Sequence, residues 1–255
     1  MKKESGFFLS FNHTFRLLAG LWISALSLSS SPVLADSKSD GGSARMAVQS
    51  GAVLPIGQKP SALNEVGITE KLGDTVSIND LKFQNEAGEV VPLASFFQSG
   101  KPVVLSLSYY NCPGLCGVVL NALLDSMKGL DWVLGNQYEA VNVSIDHKEG
   151  SALALEKKDS YLKALGKPGS EKGWHFLTGT EENIKKLTQE VGFGFKWVPE
   201  ENQYAHGAAV YVLTPEGKIS RILYGIQYKS SDLKLSLLEA SNGKIGTILD
   251  RLILF

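Results

Sequence analysis

The sequence predicts an α/β fold around a central mixed sheet, and three observations carry that prediction. An unbroken apolar run, Val103 to Leu107, is followed by apolar residues at helical spacing, Val119, Leu120, Leu123, Leu124 and Met127. This is a buried strand handing over to a helix. A second strand pattern, Glu139 to Ile145, leads into a helical stretch from Ser151 to Leu165. A third, Ala208 to Leu213, turns at Thr214-Pro215-Glu216-Gly217 and returns as Ile219 to Leu223. Strands joined by helices give parallel pairs and a tight turn gives an antiparallel one, so the sheet is mixed.

The remaining elements follow in order. Lys2, Lys3 and Arg16 precede an apolar stretch, Leu17 to Leu28, which Ser30 to Pro32 break before the small residues at Val33-Leu34-Ala35. Residues 1–35 are therefore expected to be a secretory signal peptide cut after Ala35; an uncleaved anchor is the alternative, although the apolar core is short and rich in serine. No cysteine lies at the cut, so no lipid anchor is expected. Residues 36–62, rich in Ser, Gly, Lys, Asp and Pro, are expected to be a flexible tether, and 63–255 the folded domain. A short apolar pattern, Val66, Ile68 and Leu72, comes first. Val76, Ile78, Leu81 and Phe83 predict a strand, Asn85 to Gly88 a hairpin turn, and Val90 to Leu93 a return that Pro92 places at an edge. Leu93 to Phe97 resembles one helical turn, and Gly129 to Gly135 a loop. After the Ser151–Leu165 helix come a short strand, Trp174 to Leu177, and a helix from Glu182 to Val191 capped by Thr180. Phe193, Phe195 and Trp197 alternate as an edge strand, and Glu200 to Tyr204 is a polar loop. Ser231 to Ala240 is the last long helix; Leu249 to Phe255 is too short to span a bilayer. This order matches a thioredoxin-like α/β sandwich with an N-terminal strand pair and an insert.

Chemistry concentrates at the first strand–helix junction. The only two cysteines, Cys112 and Cys116, lie there four residues apart. On a helix, i and i+4 share a face, so two thiols can converge on one metal ion or close a disulfide. Cys112 is expected at or just before the first turn, with Pro113 in the first helical position. Unpaired N–H groups at that end favour thiolate, so Cys112 is the expected low-pKa cysteine. Gly114 opens the backbone to a close partner, and Gly117 loosens the first turn. Two buried structural cysteines are the plain alternative.

Removing residues 1–35 takes the formal net charge from −1 to about −3, which argues against a nucleic-acid partner. Export places the dithiol in an oxidising compartment, where it stays reduced only if occupied or served by a thiol reductant. A metal site needs a third ligand, and His206 is the strongest candidate: it closes a polar loop just before a core strand, beside Gly207. Imidazole plus two thiolates is a soft set of low coordination, suited to Cu(I) and able to hold Cu(II). His147 follows Asp146 at a strand end and reads as a surface residue, and His175 as structural or exposed. Asp146 is a candidate supporting group that could orient a ligand. Tyr109, Tyr110 and Tyr204 are candidate walls, and Trp132, Trp174 and Trp197 read as structural.

Cys-Pro-Gly-Leu-Cys at 112–116, Ser-Ile-Asp at 144–146, and His206 before Ala-Ala-Val-Tyr-Val-Leu-Thr-Pro-Glu-Gly together resemble the SCO/SenC family of copper chaperones for cytochrome c oxidase assembly. The resemblance runs from about Gly73 to Ala240. It implies a thioredoxin-like domain in the periplasm or on the extracytoplasmic face of the inner membrane, with the membrane close by. One copper per chain would be held by Cys112, Cys116 and His206, with Asp146 at an acidic position near the site. The implied partner is cytochrome c oxidase subunit II or its assembly factors, whose binuclear copper centre would receive the metal or have its thiols reduced. Ala205 stands where the family commonly has Asp, and His147 where it usually has Pro. Turnover is not required of such a protein. The rival class is an extracytoplasmic thiol–disulfide oxidoreductase acting on target cysteines through Cys112 and Cys116; its usual motif is Cys-x2-Cys, and it has no necessary role for His206. A single-cysteine peroxidase is disfavoured because no arginine lies near Cys112.

Overall fold

A computed structural model describes residues 64–97 and 100–246. The expected signal peptide, nearly all of the tether, and Leu249 to Phe255 lie outside the described residues. The elements run β1 (Gly67–Ile68), β2 (Lys82–Gln84), β3 (Val90–Pro92), β4 (Val103–Ser108) and α1 (Leu115–Lys128). They continue as β5 (Glu139–Ser144), α2 (Ser151–Leu165), β6 (Trp174–Leu177), α3 (Glu181–Val191) and β7 (Phe193–Val198). The chain then forms β8 (Gln203–His206), β9 (Ala209–Leu213), β10 (Ile219–Tyr224) and α4 (Ser230–Ser241). One turn of 3-10 helix covers Leu93–Phe96.

Five strands form the central sheet in the order β10-β9-β4-β5-β6. β4, β5 and β6 are parallel, while β9 is antiparallel to both β4 and β10. All six residues of β4 and of β5 are buried, because both faces of the sheet are covered. On one face Val104, Ala140, Trp174, Val210 and Val212 meet α1, α2 and α4. On the other, Leu105, Val143 and Tyr211 meet α3 and the β2–β3 hairpin. This is the mixed, helix-flanked sandwich that the sequence predicts. α1 supplies Val119, Leu120, Leu123, Leu124 and Met127 to the interior, each contributing about 1.5–3 kcal/mol by burial. α3 starts at Thr180, whose side chain accepts the Asn183 N–H (3.3 Å), with Glu181 and Glu182 in its positive first turn.

Four local expectations are corrected. The strand expected over Val76–Phe83 shrinks to Lys82–Gln84; 78–80 is a turn, with the Asp80 N–H on the Ser77 carbonyl and the Ser77 N–H on Glu190. Val76 and Leu81 still reach the core, through turns rather than alternation. The polar stretch before His206 is strand from Gln203 onward, pairing with β7 through a turn at Asn202 (φ 50°). β7 is accordingly the middle strand of a three-stranded sheet, β1-β7-β8, and not an edge. Finally, α1 begins at Leu115 with Gly114 as its cap, so Pro113 is not its first residue and Cys112 lies three residues upstream. Gly114 caps α1 at φ −145° and ψ −108°, outside both the helical and the extended regions.

Candidate metal centre

β4 delivers the chain to the C-terminal edge of the sheet, where Tyr109, Tyr110, Asn111 and Cys112 form the passage into α1. β5 ends at the same edge, and β8 brings His206 to it from the opposite side. The result joins residues about 90 positions apart. The sulfur atoms of Cys112 and Cys116 and a ring nitrogen of His206 all lie within 4.8 Å of one another. Among the described residues this is the group of three or more His, Cys, Asp or Glu side chains arranged to hold a metal ion. The convergence expected from i,i+4 helix geometry is reached differently, with Cys112 outside the helix and its sulfur folded back over the first turn.

The two sulfurs sit in different surroundings. Cys112 is half-buried, and its sulfur accepts the Gly114 and Cys116 peptide N–H groups, both at 3.4 Å. Burial works against its thiolate, but these N–H groups and the Tyr109 hydroxyl outweigh it and hold the thiol below its ordinary value. That hydroxyl is buried beside the sulfur and outside ordinary hydrogen-bond geometry. Cys116 is buried, and burial pushes its thiol well up despite the Tyr109 N–H at 3.5 Å. Both cysteines are free thiols.

His206 is oriented for ligation. Nδ1 lies 2.8 Å from the Gly207 carbonyl oxygen, which only accepts, so the Nδ1–H donates and the proton is fixed there. Nε2 then presents its lone pair 2.9 Å from the Cys116 sulfur and accepts its S–H. Burial lowers the imidazole pKa, keeping the ring neutral. Phe193 stacks on the ring at 5.7 Å, and Tyr109 meets it edge-on at 6.4 Å. A Cβ at Gly207 would crowd the Ile68 side chain, 2.8 Å from its Cδ1, and the Gly67 carbonyl carbon at 3.2 Å, where β1 crosses.

The other sequence candidates are distributed as follows. Asp146 does not reach the cluster; its Oδ1 accepts the Lys148 N–H at 3.0 Å. Its carboxylate lies near Tyr204, whose hydroxyl is pushed up to about 12 by burial first and this charge second. Tyr204 packs on Tyr109 at 5.3 Å, so Asp146 touches the site only through two aromatic rings. Tyr109 and Tyr204 wall the site, whereas Tyr110 turns away, its hydroxyl donating to the Leu177 carbonyl at 2.7 Å. His147 is exposed and lines a groove of about 730 Å³ with Tyr204 and Trp197. Trp174 is fully buried, but Trp197 is 38% exposed, near Lys148. His175 is structural, packed at a tilt against Phe96 with ring centroids 4.4 Å apart, and its pKa is lowered to about 4 mainly by burial. Glu149 was not singled out by any sequence pattern. It is buried and accepts the Tyr110 and Asn111 N–H groups, both at 2.7 Å. Its only visible signal is a carboxylate in the short β5–α2 connection, at the sheet edge that carries the cysteines.

The asymmetry of the thiols gives a direct expectation. With iodoacetamide, Cys112 should alkylate with a midpoint below that of an ordinary free thiol, because its folded thiol is depressed. Cys116 should stay unmodified over the same range until the chain is unfolded. Mass spectrometry of the modified peptides across pH reads both.

A family model described as SCO1/SenC matches residues 71–234, more than half of the chain. No curated protein matches the chain significantly. Among solved structures, a candidate electron transfer protein from Aquifex aeolicus VF5 is similar at 24% identity with a TM-score of 0.59, covering 68% of this chain and 96% of that one. BsSco, a member of the Sco family of cytochrome c oxidase assembly proteins in which a disulfide switch was identified, is similar at 22% identity and TM-score 0.51, covering 69% and 99%. A SCO1/SenC family lipoprotein from Bacillus anthracis str. Ames is similar at 18% identity and TM-score 0.50, covering 69% and 96%. At these identities the likeness is one of fold.

Proposed function

Because the chain belongs to the SCO1/SenC family, we propose that it is an extracytoplasmic copper metallochaperone. It holds one copper ion through Cys112, Cys116 and His206, and passes it to the thiolates of the binuclear copper centre in cytochrome c oxidase subunit II. The observation that carries this reading is the convergence of two sulfurs and a tautomer-fixed imidazole within 4.8 Å. The donor set is soft and of low coordination, which suits Cu(I) over the harder divalent ions. The family and the Sco relatives of similar fold point to oxidase assembly as the setting. A lipoprotein among those relatives supports a place outside the cytoplasm. Among the described residues no helix is long and apolar enough to cross a membrane.

The geometry supports loading and release in sequence. Cys112 is the accessible sulfur and offers the first bond. Coordination by Cys116 and His206 requires the Cys116 proton to leave, so copper uptake releases acid. Three protein ligands leave one side of the ion open to an incoming thiolate. The rim around that side is low and apolar. Gly114 and Gly117 have nothing within 4 Å of where a side chain would start, and Leu115 and Val118 are 37% and 45% exposed. A partner loop carrying cysteines can therefore approach the metal closely.

The same sulfur pair favours one other reading, thiol–disulfide exchange, with Cys112 as the attacking thiolate and Cys116 as the buried resolving thiol. Transfer separates the two. Cu(I)-loaded protein mixed anaerobically with the reduced, copper-free soluble domain of an oxidase subunit II should lose its copper to the acceptor, read as the metal content of the two proteins after they are separated. Reduction of an oxidised acceptor without any movement of copper would instead establish the thiol exchanger.

A further inference from the structure

We propose that Glu149 is a positioning residue for the metal centre, a strut that fixes the backbone immediately before Cys112. This inference rests on the copper reading above for its metal readout, and its geometry stands apart from it. Glu149 lies in the connection between β5 and α2, 37 residues after Cys112, and is only 9% exposed. Its Oε2 accepts the Tyr110 N–H at 2.7 Å and the Ser144 hydroxyl at 2.6 Å. Its Oε1 accepts the Asn111 N–H at 2.7 Å. Both oxygens act only as acceptors, as those of a carboxylate do, and the bonds are short in the way of charge-assisted ones.

These contacts are placed where they matter for the ligands. Tyr110 and Asn111 are the two residues between the end of the Tyr109 wall and Cys112. They belong to neither β4 nor α1, so no regular element fixes them. The Cys112 N–H reaches the Tyr109 carbonyl at 3.3 Å, which closes the turn. One carboxylate thus pins both free peptides of the turn to the end of β5, and Ser144 holds the carboxylate in place. A ligand's direction depends on such supports, and losing one typically costs about 10–100-fold in metal affinity. Glutamine at 149 keeps the volume but offers one acceptor oxygen and an amide that can only donate. At least one of the two peptide N–H groups then loses its partner.

The test compares wild type, Glu149→Gln and Ser144→Ala in the full chain, with Glu139→Gln as a control. Glu139 is another buried acid, the first residue of β5, paired with Lys101 at the end of that strand far from Ser144. Two readouts are taken: copper affinity by chelator competition with the Cu(II) sulfur-to-metal absorption, and amide hydrogen exchange of residues 110 and 111 in the metal-free protein. Glu149→Gln should weaken copper about 10–100-fold, shift the absorption, and lose protection at one or both of the two amides. Ser144→Ala should move in the same direction by less, which keeps the test decisive if the glutamine variant does not fold. Glu139→Gln should leave both readouts near wild type. Unchanged absorption and affinity in Glu149→Gln would overturn the proposal, as would equal losses in the Glu139 control, which would mark a general loss of stability. If wild type binds no copper, the chaperone reading falls and the amides decide: protection lost in Glu149→Gln still supports the strut, and unchanged protection overturns it.

Discussion

Replacing either Cys112 or Cys116 by serine is expected to abolish tight copper binding, a larger effect than any other single change in this protein. The reason lies in donor chemistry and position together. A serine hydroxyl is hard, stays protonated near neutral pH, and does not replace a thiolate as a Cu(I) ligand. Among the described residues no third donor is placed to join the remaining sulfur and His206, and Asp146 is separated from the cluster by Tyr204 and Tyr109. The loss should exceed the roughly 10–100-fold that removal of a supporting group costs. Fold is not expected to suffer. Cys112 is half-buried and forms no disulfide, and serine at 116 conserves shape in a pocket that already contains a hydrogen-bonding imidazole. The two variants should differ in thiol reactivity: Cys112→Ser leaves a chain slow to alkylate, while Cys116→Ser leaves a reactive one. Chelator competition and alkylation on the same samples check both statements.

His206→Ala should keep Cu(I) with an affinity at least about tenfold lower, a difference of about 1.4 kcal/mol, and lose most of its Cu(II) binding. Two thiolates alone satisfy Cu(I) in a linear arrangement, whereas Cu(II) prefers a higher coordination number and nitrogen donors. The variant also removes the acceptor of the Cys116 S–H, so that sulfur is left buried with only the Tyr109 N–H. His206→Asn offers a donor of similar size without a ligating imidazole, and should behave like alanine for copper. Electron paramagnetic resonance of the Cu(II) forms distinguishes a nitrogen ligand from its absence. A thiol–disulfide exchanger would pass through both histidine variants with its exchange rate little changed.

The sheet and the ligand set were legible because their signals are local or rare. The Ser151–Leu165 helix is bounded by Gly150 and by Gly166, which adopts φ 66° as a left-handed cap. Thr214 to Gly217 specifies the β9–β10 hairpin through turn chemistry alone. Two cysteines in 255 residues, at a strand–helix junction, leave little else to consider. The errors share a different cause, which is that distant segments decide them. β8 carries no apolar alternation, and exists because Gln203 to His206 pair with β7. The start of α1 follows from the Cys112 sulfur lying over the first turn, a contact that the attractive position of Pro113 conceals. Asp146 stands at the expected strand end but faces Tyr204 and Lys148, while Glu149, three residues later, bonds the cysteine turn. Burial of that carboxylate depends on the β4–α1 and β5–α2 connections closing on one another, and no short-range pattern encodes it.

The central claim is that Cys112, Cys116 and His206 together ligate one copper ion. X-ray absorption at the copper edge of the anaerobically loaded protein, with metal content measured on the same sample, tests it most directly. One copper per chain with two sulfur and one nitrogen neighbours, the nitrogen lost in His206→Ala, is the predicted result. A copper shell of oxygen and nitrogen alone, or metal content unchanged in Cys112→Ser and Cys116→Ser, would contradict it.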